Sequence, residues 1–200
     1  MKLKEAALIR SGLVLSRKQA KNEISVRYPL ITLRSISPKG YINRDSLEIY
    51  AAAQPLNDEY LTHQGDIVIR LSFPYTAVLI DETTSDMVIS SNFVVIRTDK
   101  QKILPEYLVW LLNTEEVRRR TYDNTTSNML GAIKSKYYAE FEIEPISIDN
   151  QRKIARLHAL AQKEIQLLLE LADEKEKYYA RAIQLAQSKM TRSNNYDDKK

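Results

Sequence analysis

Two histidines, four scattered glycines and no cysteine leave this chain few residues with which to do covalent or metal chemistry. His63 precedes a Gly-Asp pair and His158 lies among helix-forming residues, and neither has a cysteine or a second histidine at zinc-ligand spacing. His158 reads more simply as a packing or hydrogen-bonding residue between helices. Gly12, Gly40, Gly65 and Gly131 stand more than twenty residues apart, so no glycine-rich loop can cradle a nucleotide phosphate. No metal and no cofactor are expected, and the chain is expected not to be an enzyme.

Ser72-Phe73-Pro74-Tyr75 superficially resembles the Ser/Asn/Asp-Pro-Pro-Tyr loop of amino-methyltransferases, but it lacks the first proline. No glycine-rich strand-turn-helix precedes it to hold a methyl donor, so it is read as a turn connecting strands. The acidic pairs Asp81-Glu82 and Glu115-Glu116 have no basic partner at nuclease-like spacing and read as solvated charges. Arg118-Arg119-Arg120 has two readings: cations closing a helix, where they complement its dipole, or contacts to phosphate.

Charge is distributed unevenly. Residues 1–44 hold ten Lys or Arg against two Glu, whereas residues 45–148 hold nine basic against sixteen acidic, within a net charge of only +4. A local basic stretch can follow a phosphate backbone whatever the total, because counterion release depends on the charges at the contact. An uneven solvated surface explains it equally well.

These residues need elements to position them. Leu30–Ile36 alternates apolar and polar and ends at Pro38-Lys39-Gly40, which predicts a strand and a turn. Ile67–Leu71, Ala77–Ile80 and Phe93–Arg97 are short runs rich in β-branched residues, as strands of a small sheet or partial barrel would be. Pro105 suits a first helical turn, and Tyr107, Leu108, Leu111 and Leu112 follow at helical spacing before the polar run Thr121–Asn128.

From Asp149 to Met190 there is no glycine or proline, and the composition of Ala, Leu, Gln, Glu, Lys and Arg favours one long helix. Asp149 or Asn150 can cap it. Ile154, Leu157, Ala161, Leu168, Leu171, Tyr178, Ala182 and Leu185 form a 3-4 spaced apolar stripe. At roughly 60 Å such a helix is too long to bury that stripe on a small domain, so it needs a partner helix. Glu164 and Lys175 interrupt strict heptads, so the packing should be coiled-coil-like with irregular register. The expected class is α+β: a mixed, β-rich domain over 1–148, a long spacer or dimerisation helix over 149–190, and a disordered tail over 191–200. With no cysteine, a carboxylate at Glu5 where a signal peptide would be apolar, and no run approaching roughly 18 apolar residues, a cytoplasmic location away from membranes is expected.

The order of motifs resembles the specificity subunits of type I restriction-modification systems, over nearly the whole chain to about Gln187. The resemblance rests on Leu3–Gly12, Gly40-Tyr41-Ile42, Gly65-Asp66-Ile67-Val68-Ile69-Arg70 and Ser90–Arg97. It continues through Leu104–Asn113 and closes with Gln151-Arg152-Lys153-Ile154-Ala155 at the start of the long helix. Such subunits carry two target-recognition domains and two long helices, whereas this chain has one of each and looks like a half subunit. The family's proline directly precedes the glutamine of the helix; here Pro145 lies six residues upstream of Gln151.

The resemblance implies a non-catalytic subunit that directs methyltransferase and endonuclease subunits to a bipartite DNA target. Its partners would be double-stranded DNA, the DNA methyltransferase (modification) subunit and the restriction/translocase subunit. It would also form a homodimer or pair with another half specificity subunit. Arg17, Lys18, Arg27, Arg34 and Lys39 would contact phosphates. Arg70, Ser72 and Tyr75 near one turn, and Thr126, Ser127, Asn128 and Lys134 near another, would read bases. The competing reading is a non-enzymatic scaffold or antirestriction protein that uses the long helix to bind partners without reading sequence.

Overall fold

A computed structural model describes residues 1–21, 25–127 and 133–197, with side chains described through 125 and over 133–189. Residues Met1–Ala155 form one compact unit and Arg156–Lys200 a second.

The runs of β-branched residues become the centre of the first unit. Strands β1 (Ala7–Ser11), β4 (Ile67–Arg70), β5 (Ala77–Leu79) and β7 (Phe93–Thr98) form an antiparallel sheet in the order β1-β7-β4-β5. Their apolar residues are continuous because the sheet is covered on both faces. Ile67, Ile69, Val94 and Ile96 point into a cluster with the helices, while Val68, Val78, Phe93 and Val95 point into another with Ile31 and Ile36. A second sheet joins β2 (Val26–Ile31), β3 (Glu48–Ala52) and β6 (Val88–Ile89) in the order β3-β2-β6, with β2 and β6 parallel.

The strand expected over Leu30–Ile36 lies earlier in the chain. Ser35 Oγ accepts from Thr32 N–H and donates to Thr32 C=O, folding those residues into a turn, so the alternation there has no ladder behind it. The polar run beginning at Thr121 is not a break. Helix α1 (Pro105–Leu112) is followed after two residues by α2 (Glu115–Ser127). The Thr114 hydroxyl accepts from Val117 N–H at its start, and Thr121 and Thr125 return their hydroxyls to the carbonyls of Val117 and Thr121. A short α3 (Ser135–Ala139) contributes buried Tyr138 to the same core.

The Gly65-Asp66 signature has a structural role. Gly65 has φ +91, a conformation that side chains disfavour, and it turns the chain so that Asp66 enters the core at 1% exposure. There the carboxylate accepts two bonds from Arg97, at 2.8 and 2.9 Å, and one from His63 N–H. The His63 ring touches both Arg97 and Asp58.

Helix α4 (Ile148–Asp197) starts one residue before the expected limit. Ser147, and neither Asp149 nor Asn150, supplies the hydroxyl that accepts from Asn150 N–H. The helix continues past Met190 through residues 191–197, where no glycine or proline interrupts it. Its first turns belong to the first unit. Gln151 is buried, accepts from Leu104 N–H and donates to the carbonyls of Lys102 and Ile146. Gln151→Ala should therefore orphan three backbone groups and destabilise the first unit by about 2 kcal/mol in denaturant titration. A loss below about 0.5 kcal/mol would show that water replaces the amide without cost.

In the second unit Leu157, Ala161, Leu168, Leu171, Tyr178 and Leu185 are all exposed, Leu157 at 70%, while Ala182 is half-buried. Ile154 differs: it packs partly buried in the first unit's core. Among the described residues no helix is long and apolar enough to cross a membrane, and no group of three or more metal-ligating side chains occurs.

Candidate nucleic-acid interface

Three segments of the first unit meet around α2. The first is the turn between β4 and β5, where Tyr75 N–H donates to Ser72 C=O at 2.9 Å. Ser72 is exposed and Phe73 stands at 71% exposure at the tip. The second is α2 itself. Tyr75 donates its hydroxyl to Thr125 Oγ1 at 3.1 Å, and the Phe73 ring lies edge-on to Tyr122 with centroids 6.4 Å apart.

The third is the turn Ser37–Tyr41. Gly40, at φ +90, closes it with a bond from its N–H to Ser37 C=O. Asn113 and Arg118 fasten this assembly together. The Asn113 amide bonds to both Ala77 N–H and Ala77 C=O on β5, while Arg118 reaches Asn113 Oδ1 at 2.7 Å and Pro38 C=O at 3.4 Å. Lys39, Arg118, Tyr122, Phe73 and Ser72 are thereby placed by one connected set of contacts.

Arg118 and Arg70 have one property in common: in each, Nε is buried without a hydrogen-bond partner among the described residues. Burial also pushes both guanidinium pKa values below the ordinary arginine value. A cation partly stripped of water in this way favours an incoming anion more than a fully hydrated one does. Arg118-Arg119-Arg120 does not close a helix, because α2 runs on to Ser127. The triplet lies toward its N-terminal half, where the dipole disfavours cations. Of the two readings of this triplet, the dipole one is thus removed.

On its other side α2 forms a cleft with α3, lined by Arg120, Asn124, Thr125, Lys134, Lys136 and Tyr137. Arg120 stacks over the Phe141 ring at 5.1 Å. Glu140, at the cleft's rim, is engaged elsewhere. Hydrogen bonds from Lys2 and Lys4 pull its pKa down to about 2. Lys134 and Lys136 are exposed and have no acidic partner among the described residues.

The residues expected from the sequence fall into groups. Lys39 and Ser72 sit at the assembly around α2, and Lys134 sits at the adjoining cleft; Arg70 ends β4 on the sheet face of Val68, away from the helix-side cluster that Ile67 and Ile69 enter. Tyr75 is there too but is a core residue at 5% exposure, so its ring is not offered to a base. Arg17, Arg27 and Arg34 are exposed and Lys18 half-buried, but they belong to the three-stranded sheet and its flanking turns. Thr126, Ser127 and Asn128 lie outside the residues whose side chains are described. Phe73 and Tyr122 were not singled out from the sequence, because their grouping depends on tertiary contacts through Tyr75, whereas Arg118 was already one of the residues offered for phosphate.

Neither a protein-family model nor a curated protein sequence matches the chain. Solved structures do. The HsdS subunit from Thermoanaerobacter tengcongensis superposes with a TM-score of 0.65 at 18% identity, covering 88% of this chain and 45% of that one. The chain has the fold of about half an HsdS subunit. A chain from a structure describing complex assembly and conformational transition of the type I R-M system gives 0.63 at 19% identity, covering 84% of this chain and 43% of that one. The type I restriction-modification S subunit from M. genitalium gives 0.54 at 16% identity, with 86% and 41% covered. This chain spans less than half the length of each of these three chains.

Proposed function

We propose that this chain is a DNA sequence-specificity subunit of a type I restriction-modification system. The likeness of fold to HsdS subunits over most of the chain carries the reading. It is supported by the exposed cations and aromatics grouped on α2 and the turns 37–41 and 72–75. Arg118 and Lys39 position the first unit on phosphates, and residues of the β4–β5 turn reach base edges. The chain carries out no chemistry itself. It directs a methyltransferase and a restriction subunit to the site.

The second unit supplies assembly. Its exposed apolar residues recur along a helix of roughly 60 Å, the kind of face that a second long helix covers. Pairing with a second copy of the chain gives a two-fold complex whose target is two inverted half-sites separated by unread base pairs. To test the reading, duplexes selected from a random pool by the chain with its methyltransferase are compared with scrambled duplexes at fixed salt. A reader prefers the selected sequence strongly. Equal binding to both, with assembly intact, supports the scaffold reading instead.

A further inference from the structure

Phe73 is the most exposed aromatic ring among the described residues, and it stands at the tip of the β4–β5 turn beside α2. It is not a loose side chain. Its ring is held edge-on by buried Tyr75 at 6.2 Å and by Tyr122, 49% exposed, at 6.4 Å. Tyr75 is in turn fixed through its hydroxyl to Thr125 on α2. The β4–β5 turn thus presents an apolar tip beside α2, where Arg118, Arg119 and Arg120 precede Tyr122 and are balanced by Glu115, Glu116 and Asp123, so the partner that fits the tip itself is one with an apolar spot.

We infer that Phe73 is a specificity-determining residue that packs against the C5 methyl group of a thymine in the major groove. The inference rests on the DNA-reading function proposed above. A phenyl ring neither donates nor accepts a hydrogen bond, so the one base-edge feature in the groove it can discriminate is the apolar one, and that is the thymine methyl. Insertion between base pairs fits less well. The Phe73 ring stands beside Tyr122 in a T-shaped pair, which makes the tip broader than the single side chain that would have to enter between two stacked bases.

The test uses the full chain, its selected duplex, and copies of that duplex in which each thymine in turn is replaced by uracil, which removes only the methyl. For the wild-type chain one thymine per half-site should show a loss of affinity of about 4-fold, the worth of one buried methyl. F73A should bind the thymine and uracil duplexes equally, and F73L should keep part of the difference. Because Phe73 is exposed, these variants fold, which circular dichroism verifies. If no uracil replacement matters, or if the penalty persists in F73A, the inference is overturned while DNA reading stands. A rise in 2-aminopurine fluorescence on binding that F73A removes would also overturn it, in favour of an inserted wedge. No preference for the selected duplex by any form would overturn both.

Discussion

Leu168→Asp and Leu171→Asp are each expected to abolish self-association while leaving the first unit folded. Both side chains are more than half exposed in the isolated chain, on a helix whose apolar positions repeat without a covering element in the second unit. Burying one leucine in a helix pair is worth about 2 kcal/mol, and a two-fold pair contains it twice. Aspartate removes that gain and adds a carboxylate to be desolvated, so the dimer should weaken on the order of a thousandfold or more. Light scattering after size exclusion measures the assembly, and thermal melting of the first unit provides the control. If both variants assemble like the wild type, the stripe is not the interface.

The second large effect is expected at Arg97. Its guanidinium supplies two of the three hydrogen bonds that the buried Asp66 carboxylate accepts. Arg97→Ala leaves the buried carboxylate with the His63 N–H as its one hydrogen bond and the charge of Arg10 nearby, and breaking such a pair costs about 3–5 kcal/mol when it is fully enclosed. Arg97 is 37% exposed, so water can enter beside it, and about 3 kcal/mol is the expected loss in denaturant titration. Asp66→Asn combined with Arg97→Ala should recover part of this, because the buried carboxylate is then replaced by a neutral amide, and only part because Arg10 loses the charge of Asp66. A single Arg97→Ala variant within about 0.5 kcal/mol of wild type would show that Asp66 does not depend on this partner.

The two effects arise from features of unequal visibility in the sequence. The apolar stripe could be read from residue spacing, since helix periodicity is local, and so could β4, β5 and β7, whose continuous apolar runs follow from a sheet covered on both faces. The Asp66–Arg97 pair could not, because it joins residues 31 apart through a turn set by Gly65. Helix α2 was hidden by its threonines. Taken alone they favour turns and caps, and here they are accommodated by bonds to the preceding turn and by the packing of Val117 and Thr121. The site was partly legible for a related reason. Cations such as Lys39 and Arg118 are conspicuous in a sequence, whereas Phe73 reads as part of a turn until Tyr75 and Tyr122 close around it.

Adenine methylation mapped across the genome of cells carrying this chain with its methyltransferase tests the account most directly. Under the proposed pairing of two copies by two-fold symmetry, the recognition unit described here reads the same half-site twice on opposite strands. Reaching one face of the duplex places the half-site centres about one helical turn, roughly 34 Å, apart. The predicted result is an interrupted palindrome whose spacer changes when the helix is lengthened and whose half-sites do not. A continuous uninterrupted motif, or methylation that does not depend on this chain, would contradict it.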